Sequence, residues 1–316
     1  MYNVIIQLYE DKSINVTINI NIKERGSIFM KQYIKLMRPK HCIKNLLIFF
    51  PLIFSKNIFN ANLFICTLLG FFAFSLSAST IYIINDIKDK EKDKLHPQKK
   101  NRPIASGKVT TKNAIILAII TLIVSFVFQF LTTNGKLHIS QLYILVYLIL
   151  NFAYSFGLKK VPLIDVIILV SGFLIRILYG ASITNINVSN WLYLTIMSVS
   201  FYFALGKRRN EIKKSSDKTR EVLKYYNKEF LDKNMYMCLS LAIVFYALWT
   251  VESSVIMNGN LLIWTVPIII IILMKYSMNI ESDSFGDPVD VIIEDKILLG
   301  LIMIYGISVI SIIYLN

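Results

Sequence analysis

A group of carboxylates follows the second long apolar stretch of the sequence. Asp86, Asp89 and Asp93 are spaced at i, i+3 and i+7, so a helix that continues through them carries all three on one face. Carboxylates gathered in this way repel each other unless a cation lies between them, and hard oxygen ligands favour Mg²⁺ over Zn²⁺. The spacing therefore predicts a Mg²⁺ site at the end of this apolar segment.

Basic residues come directly after these acids. Lys99, Lys100 and Arg102 supply the cations that bind phosphate oxygens. An acidic metal site beside a basic site is the arrangement that a Mg²⁺-bound diphosphate needs. The alternative is a solvated helix of alternating Lys and Asp or Glu with surface ion pairs. That alternative explains the alternation but not the break at His96-Pro97 or the run from Arg102 to Gly107.

A second polar group begins where another apolar segment ends. Lys207, Arg208 and Glu211 fit one helix face, and an acid among cations at a helix end indicates contact with a metal or a ribose hydroxyl. The same polar loop continues to Arg220, a further candidate for substrate binding. For the lysines between them the alternative is an ordinary membrane anchor at the cytoplasmic surface.

Two charged residues lie inside or at the end of apolar segments. Arg176 falls near the middle of one, where a lone cation costs at least ~2.5 kcal/mol, so we expect it to face a polar cavity or a partner and to bind substrate. Asp165 lies one turn from Lys159 and Lys160. A simple ion pair with these lysines and a functional role are equally good interpretations of Asp165.

The composition indicates a membrane protein. Of the 316 residues 55% are hydrophobic, and the mean hydropathy is +0.57. The net charge of +14 is concentrated in a few loops, which suits membrane orientation and anionic substrates, and no pattern of a nucleic-acid-binding module is present. The three cysteines, Cys42, Cys66 and Cys238, lack the spacing of a zinc site and are expected to pack in apolar surroundings.

Segments of about 20 apolar residues predict an all-α membrane protein with nine spans. They fall near residues 43–60, 61–85, 112–132, 139–157, 161–183, 189–207, 235–257, 261–279 and 297–315. Nine spans place the N-terminus and the Lys- and Arg-rich loops on one side, which the positive-inside rule makes cytoplasmic. In residues 1–29 apolar and polar residues alternate over a short stretch, and this segment is predicted to be a disordered or appended tail. A start of translation at Met30 is a hypothesis. Residues 30–316 are predicted to form the membrane domain.

Several runs of residues resemble a known family. The run Asn85-Asp86-x-x-Asp89-x-x-x-Asp93 resembles the first aspartate signature of the UbiA-type intramembrane prenyltransferase superfamily. Weaker runs resemble its decaprenyl-phosphate phosphoribosyltransferase branch; they are Arg38-Pro39 with Lys44-Asn45, His96-Pro97 to Gly107, Ser171 to Arg176, and Gly206 to Glu211. The similarity extends from about residue 31 to the C-terminus.

The resemblance implies a fold of nine helices around a central cavity capped by cytoplasmic loops. It implies that Mg²⁺ and the donor diphosphate are held by Asn85, Asp86, Asp89 and Asp93, of which Asp86 and Asp93 are the catalytic candidates. The residues it places on the substrates, chiefly their phosphates, are Lys44, Asn45, Lys99, Arg102, Lys159, Lys207 and Arg208. True prenyltransferases of the superfamily carry a second aspartate signature, where this chain has only Asp217-x-x-x-Glu221.

These observations favour a Mg²⁺-dependent enzyme in the plasma membrane of a bacterium. The expected reaction moves a 5-phosphoribosyl group from phosphoribosyl diphosphate to a long-chain polyprenyl phosphate. One alternative is prenyl transfer from a polyprenyl diphosphate to an aromatic acceptor, and another is a transporter or lipid-binding protein without catalytic activity. The prenyl length, the pathway and a homo-oligomeric assembly are left open by the sequence.

Overall fold

The structure is a computed structural model that describes residues 30–97, 99–214, 221–257, 261–281 and 287–315. The N-terminal tail predicted for residues 1–29 lies outside this part of the chain, as do Arg220 and Asp217. The described residues are helical, with connecting turns and no strand among them. The predicted all-α class is therefore confirmed.

Twelve α-helices follow one another along the described chain. They are α1 (30–37), α2 (Phe50–Phe54), α3 (Ala61–Lys88), α4 (Lys90–Leu95), α5 (Thr111–Thr132), α6 (Ile139–Phe156), α7 (Ile164–Thr184), α8 (Asn190–Lys214), α9 (Lys228–Met257), α10 (Val266–Glu281), α11 (Pro288–Glu294) and α12 (Lys296–Leu315). Short 3₁₀ segments cover Pro39–Phe49, Lys99–Asn101, Leu158–Lys160, Glu221–Tyr225 and Leu261–Thr265.

Seven of the nine predicted spans coincide with helices that are long and apolar enough to cross a membrane. These are Ala61–Lys88, Thr111–Thr132, Ile139–Phe156, Ile164–Thr184, Lys228–Ser253, Leu261–Glu281 and Lys296–Leu315. The sixth predicted span is helix α8, but Thr195, Ser198 and Ser200 lower its hydropathy, and it is not among the seven. Within the described residues the count of nine is thus not confirmed.

The first predicted span, residues 43–60, is not a single membrane-crossing helix. Its chain forms the 3₁₀ segment Pro39–Phe49 and the five-residue helix α2, which ends at Phe54. Pro51 lies in the first turn of α2, where its missing N–H costs nothing. The segment is therefore a connection that carries polar side chains rather than a continuous span.

The helix that delivers the aspartates also departs from expectation. A shared face requires the helix to continue through Asp93, but α3 ends at Lys88, and Asp89 leaves helical geometry with φ −87° and ψ 4° as the cap of α4. The Asp89 side chain makes no capping hydrogen bond at this position. The Asp89 N–H still bonds to the Asn85 carbonyl at 2.9 Å, and the Asp93 N–H bonds to the Asp89 carbonyl at 2.8 Å. The break is therefore local.

The chain divides into two compact units. Unit 1 comprises the residues up to Pro39 together with Ser79–Leu122. A small apolar core joins α1 to the ends of α3 and α5 in this unit; it contains Leu36, Ile83, Ile104, Val109, Ala114 and Ala118. The Ser79 hydroxyl donates to the Met37 carbonyl at 2.9 Å, which fixes the end of α1 against α3.

Unit 2 comprises Lys40–Ala78 and Ile123–Asn316. Its larger apolar cluster is built by α7 to α12; fully buried members include Tyr202, Leu231, Ile280 and Leu298. Helix α8 packs chiefly against α9 and α7. Helix α8, which is not among the seven candidate spans, thus packs within this apolar cluster.

A close backbone approach fixes the 3₁₀ segment Pro39–Phe49 against α7 in unit 2. A Cβ atom added to Gly180 would overlap the carbonyl oxygen of Ile48 and would lie 3.0 Å from its Cα. Backbone atoms cannot move aside as a flexible side chain can. Glycine is therefore required at position 180 by the packing of this segment.

We expect Gly180→Ala to destabilise the protein by about 1–3 kcal/mol, because the added methyl group must push Ile48 out of contact with α7. The measurement is the thermal unfolding midpoint of the purified protein in detergent. Gly306→Ala is the control, because nothing lies within 4 Å of that position on α12. Equal midpoints for the two variants would contradict the packing assigned to Gly180.

Candidate functional site

Two carboxylates and two arginines form a compact group in unit 1, which we call the aspartate–arginine cluster. Arg102 Nη1 donates to Asp86 Oδ1 at 3.0 Å and to Asp93 Oδ2 at 2.6 Å. Arg38 forms a second ion pair with the same Oδ1 of Asp86. Asp86 and Asp93 are 3% and 4% exposed, whereas both guanidinium groups stay partly accessible. A ligand could therefore reach the guanidinium groups of this cluster, whereas its carboxylates are buried.

The two carboxylates of this cluster converge on one point. Because an oxygen of Asp86 and an oxygen of Asp93 both contact the single nitrogen Nη1 of Arg102, the two oxygens are close to each other. Two buried carboxylates at this separation would repel each other strongly without a cation between them. Arg102 supplies that positive charge through Oδ1 of Asp86 and Oδ2 of Asp93, and the second oxygen of each carboxylate is a hard ligand that a divalent cation would use.

The other ligands predicted on this segment lie nearby in the chain. Asn85 and Asp89 are half-buried at the end of α3, and Lys99 is exposed in the 3₁₀ segment Lys99–Asn101. Among the described residues, no group of three or more His, Cys, Asp or Glu side chains is arranged to hold a metal ion. The role of Asn85 and Asp89 as ligands stays a prediction, whereas Asp86 and Asp93 are brought together.

A second charged group lies in unit 2, and we call it the lysine cluster. The Asp287 carboxylate contacts Lys44 Nζ at 3.2 Å through Oδ1 and Lys207 Nζ at 3.2 Å through Oδ2. Lys44 lies in the 3₁₀ segment Pro39–Phe49, Lys207 lies on α8, and Asp287 caps α11 by accepting from the Val289 N–H. One carboxylate therefore holds two lysines from different elements at the same place.

Burial and charge act in opposite directions within the lysine cluster. Burial raises the pKa of Asp287, but the ammonium groups of Lys207 and Lys44 outweigh it and hold that pKa below its ordinary value. Burial lowers the pKa of Lys44, Asp287 opposes this, and Lys207 and Arg176 add to it, so that the pKa of Lys44 is about 8. Lys44 lies outside the seven candidate spans. Its charge is therefore sensitive to mildly alkaline pH.

Arg176 is buried among neutral groups in unit 2. It donates to the Asn45 side-chain oxygen at 2.7 Å and to the Gly172 carbonyl, and its guanidinium lies 5.0 Å from the centre of the Phe74 ring. The hydrogen-bond acceptors found for Arg176 among the described residues carry no charge. The expectation of polar partners for this cation is met by Asn45, and its contact with substrate stays a prediction.

Arg208 occupies a different environment from its neighbour Lys207. Its side chain is 0% exposed, and its Nε donates to Asp165 Oδ2 at 2.6 Å. A second ion pair joins Nη1 to Glu211 at 2.8 Å, and Tyr226 donates to Asp165 at 2.7 Å. The phosphate contact predicted for Arg208 is untested. In this structure the guanidinium is occupied by carboxylates.

The simple ion pair considered for Asp165 is wrong. Asp165 pairs with Arg208 and Tyr226, whereas Lys160 pairs with Glu221 at 2.8 Å. The reason is burial, because Asp165 at the start of α7 is 0% exposed and lysines on the exposed 3₁₀ segment Leu158–Lys160 remain at the surface. Lys159 itself is half-buried on that segment.

Two charged residues of these clusters were missed as site residues. Arg38 was quoted only as part of the Arg38-Pro39 run, although it faces Asp86 from the end of α1. Asp287 is not among the candidate residues that the sequence patterns indicate. Its signal was the pair Asp287-Pro288, which is typical of a helix start with a capping acid and proline at the first helical position.

Comparisons with known proteins identify the family of this chain. The sequence profile of the UbiA prenyltransferase family matches residues 47–287. A decaprenyl-phosphate phosphoribosyltransferase of Corynebacterium glutamicum is 32% identical over 290 residues, which cover 89% of this chain and 86% of the relative. A protein of the same name from Mycolicibacterium smegmatis is 31% identical over 84% of this chain and 87% of the relative.

Solved structures show a similar fold. A UbiA homologue from Archaeoglobus fulgidus, bound to DMAPP and Mg²⁺, superposes with a TM-score of 0.65 at 20% identity and covers 89% of this chain and 99% of that chain. A UbiA homologue from Aeropyrum pernix K1 gives a TM-score of 0.53 at 16% identity over 84% of this chain and 98% of that chain. These similarities support the all-α membrane fold.

We expect Arg208→Met to destabilise the protein by about 3–5 kcal/mol, because it leaves the buried carboxylate of Asp165 without its cation. Denaturant unfolding in detergent measures this loss. The double variant Arg208→Met with Asp165→Asn should recover part of the stability, because neither charge is then left alone.

The matched control is Lys160→Met, which removes the exposed ion pair with Glu221. Such a surface pair contributes only about 0–1 kcal/mol. A loss for Arg208→Met no greater than that for Lys160→Met would show that the buried ion pair does not stabilise the helices.

Proposed function

Because this chain belongs to the UbiA prenyltransferase family, a family of membrane transferases, we propose that it transfers a 5-phosphoribosyl group from phosphoribosyl diphosphate to a polyprenyl phosphate. The observation that carries the proposal is the convergence of the buried Asp86 and Asp93 carboxylates on one arginine nitrogen. The names of the actinobacterial relatives support the same reaction. Pyrophosphate is the second product.

The aspartate–arginine cluster is suited to the donor diphosphate. Mg²⁺ in enzymes that act on phosphates is usually held by one or two carboxylates, and the substrate oxygens complete its coordination. Asp86 and Asp93 are the two carboxylates that fit this role. A Mg²⁺ ion bound there would neutralise charge on the departing pyrophosphate. Arg38 and Arg102, which are partly accessible, would bind the diphosphate oxygens directly.

The acceptor supplies its own nucleophile. A phosphate monoester has a second pKa near 6 and is largely ionised at pH 7, so no residue has to remove a proton from it. One phosphate oxygen attacks the anomeric carbon of the ribose, and the bond from that carbon to the pyrophosphate oxygen breaks. The enzyme's task is to position the two anions and to balance charge as the leaving group departs.

The membrane setting suits a lipid acceptor. Seven apolar helices provide the surroundings for a polyprenyl chain, while the charged clusters lie at helix ends and in connections. We place these ends on the cytoplasmic side, because the loops that carry them hold most of the lysines and arginines. The soluble donor would then reach the site from the cytoplasm.

Prenyl transfer from a polyprenyl diphosphate is the second candidate. It normally uses a second pair of acids, for which this chain offers Asp217 and Glu221. Asp217 lies outside the described residues, and Glu221 is exposed and paired with Lys160. The lysine cluster, with one carboxylate between two cations, favours a bare phosphate over a second metal.

We expect purified protein supplied with Mg²⁺, labelled phosphoribosyl diphosphate and a polyprenyl phosphate to give butanol-soluble label. Asp86→Asn and Asp93→Asn should raise the Mg²⁺ concentration required or abolish transfer, because each removes a charged oxygen ligand. Glu91→Gln is the control on α4, since Glu91 is exposed and pairs only with Lys94 in the contacts described. No label with the wild-type protein, or equal effects of all three variants, would defeat the proposal.

We also expect transfer to weaken as pH rises through about 8. Lys44 binds phosphate in its charged form, which is complete below its pKa of about 8 and is lost above it. The measurement is kcat/KM for each substrate from neutral to alkaline pH. Lys44→Arg keeps its charge over this range and should remove the decline; an unchanged decline in this variant would exclude Lys44 as its cause.

A further inference from the structure

The lysine cluster has more positive charge than its one carboxylate can balance. Asp287 is shared between Lys44 and Lys207, and Arg176 is close enough for its charge to act on Lys44. His41, on the same 3₁₀ segment as Lys44, adds a further positive influence on Asp287. All these groups belong to unit 2. The cluster therefore attracts anions.

A buried hydroxyl group adds an unused hydrogen-bond donor. Tyr276 on α10 is 2% exposed, and its hydroxyl has no hydrogen-bond partner among the described residues. The Tyr276 ring lies 4.7 Å from the ring of Phe203, which precedes Lys207 by one turn of α8, so Tyr276 lies beside the part of α8 that carries this lysine. A buried hydroxyl without a partner costs about 1–3 kcal/mol, a cost that a bound ligand would remove.

We propose that Lys44, Lys207 and Tyr276 bind a phosphate monoester without a metal ion, and that Asp287 is the residue that positions the two lysines. Each ammonium group has three N–H donors, so a contact with Asp287 leaves donors for a phosphate. The Tyr276 hydroxyl donates to a further phosphate oxygen. Asp287 is fixed in turn by the Val289 N–H at the start of α11.

The charge balance excludes a Mg²⁺-bound diphosphate at this cluster. Mg²⁺ requires oxygen ligands that are free to face it, and both oxygens of Asp287 already contact ammonium groups. Two lysines and a tyrosine offer only cationic or neutral donors to a ligand. A phosphate dianion without its own cation matches this set, whereas a metal-bound diphosphate matches the aspartate–arginine cluster.

Both substrates of the proposed reaction carry a phosphate monoester. The assignment of the phosphate at the lysine cluster to one of these substrates rests on the proposed function. One is the phosphate of the polyprenyl acceptor, which is the nucleophile. The other is the 5-phosphate of the donor, which does not react. Both are phosphate monoesters, and kinetics can distinguish them because the effect falls on the KM of one substrate only.

The first test is direct binding, which does not depend on transfer. Inorganic phosphate, added with EDTA, should raise the thermal unfolding midpoint of the full-length protein in detergent, and Tyr276→Phe should reduce the rise. Tyr276→Phe removes a hydroxyl that makes no hydrogen bond to the part of the chain that the structure describes, so the unfolding midpoint of this variant without phosphate should be unchanged. The control Tyr246→Phe removes a buried hydroxyl that contacts Thr265 at 2.5 Å and should leave the phosphate effect intact.

The second test uses farnesyl phosphate as acceptor and phosphoribosyl diphosphate as donor, at fixed free Mg²⁺. Lys207→Ala, Tyr276→Phe and Asp287→Asn should each raise the KM of the same substrate roughly tenfold, the effect of losing a hydrogen bond to a charged group. The Mg²⁺ concentration required for transfer should not change. Asp287→Glu should restore part of the affinity, and the control Asp290→Asn, one turn along α11, should have little effect.

Each outcome decides the proposal. A raised acceptor KM identifies the polyprenyl phosphate, and a raised donor KM identifies the 5-phosphate. Inorganic phosphate that fails to stabilise the wild-type protein, or variants that shift the Mg²⁺ requirement instead of a KM, would overturn the metal-free site. If phosphate binds but the wild-type protein transfers no label, the site stands and the proposed function fails.

Discussion

Among the described residues, the buried carboxylates Asp86, Asp93 and Asp165 and the partly buried Asp287 are each held by a cation, and this pairing is the constraint on which both clusters depend. Asp86 and Asp93 share Arg102, Asp165 contacts Arg208, and Asp287 contacts two lysines. An acid without such a partner would become protonated or leave the protein interior. The ion pairs that stabilise these carboxylates also orient the N–H groups of the cations that are not used in the pairs.

The clusters differ in how their charges balance, and this difference gives each its chemistry. The aspartate–arginine cluster has as many guanidinium groups as carboxylates, and its acids converge, so a divalent cation can join it. The lysine cluster is dominated by ammonium groups, so it attracts an anion directly. A transferase that joins a metal-bound diphosphate to a phosphate monoester needs one site of each kind.

The apolar helices were largely predictable because hydropathy is a local property of the sequence. The proximity of Asp86 and Asp93 was predictable for the same reason, since helical spacing places them near each other despite the break at Asp89. Asp287 was not, because 243 residues separate it from Lys44 and only tertiary packing brings them together. The unsatisfied hydroxyl of Tyr276 was equally hidden, because one more tyrosine on an apolar helix carries no signal in the sequence.

The ion pair between Arg208 and Asp165 has a consequence for how the protein is made. Helix α8 carries a cation that is costly to expose to lipid, and its sequence is less apolar than that of the neighbouring spans. Its counter-ion is supplied by α7, which the ribosome synthesises first, and its main packing partner is α9, which follows. The burial of Arg208 therefore depends on α7, and the place of α8 among the helices of unit 2 depends on both of its neighbours.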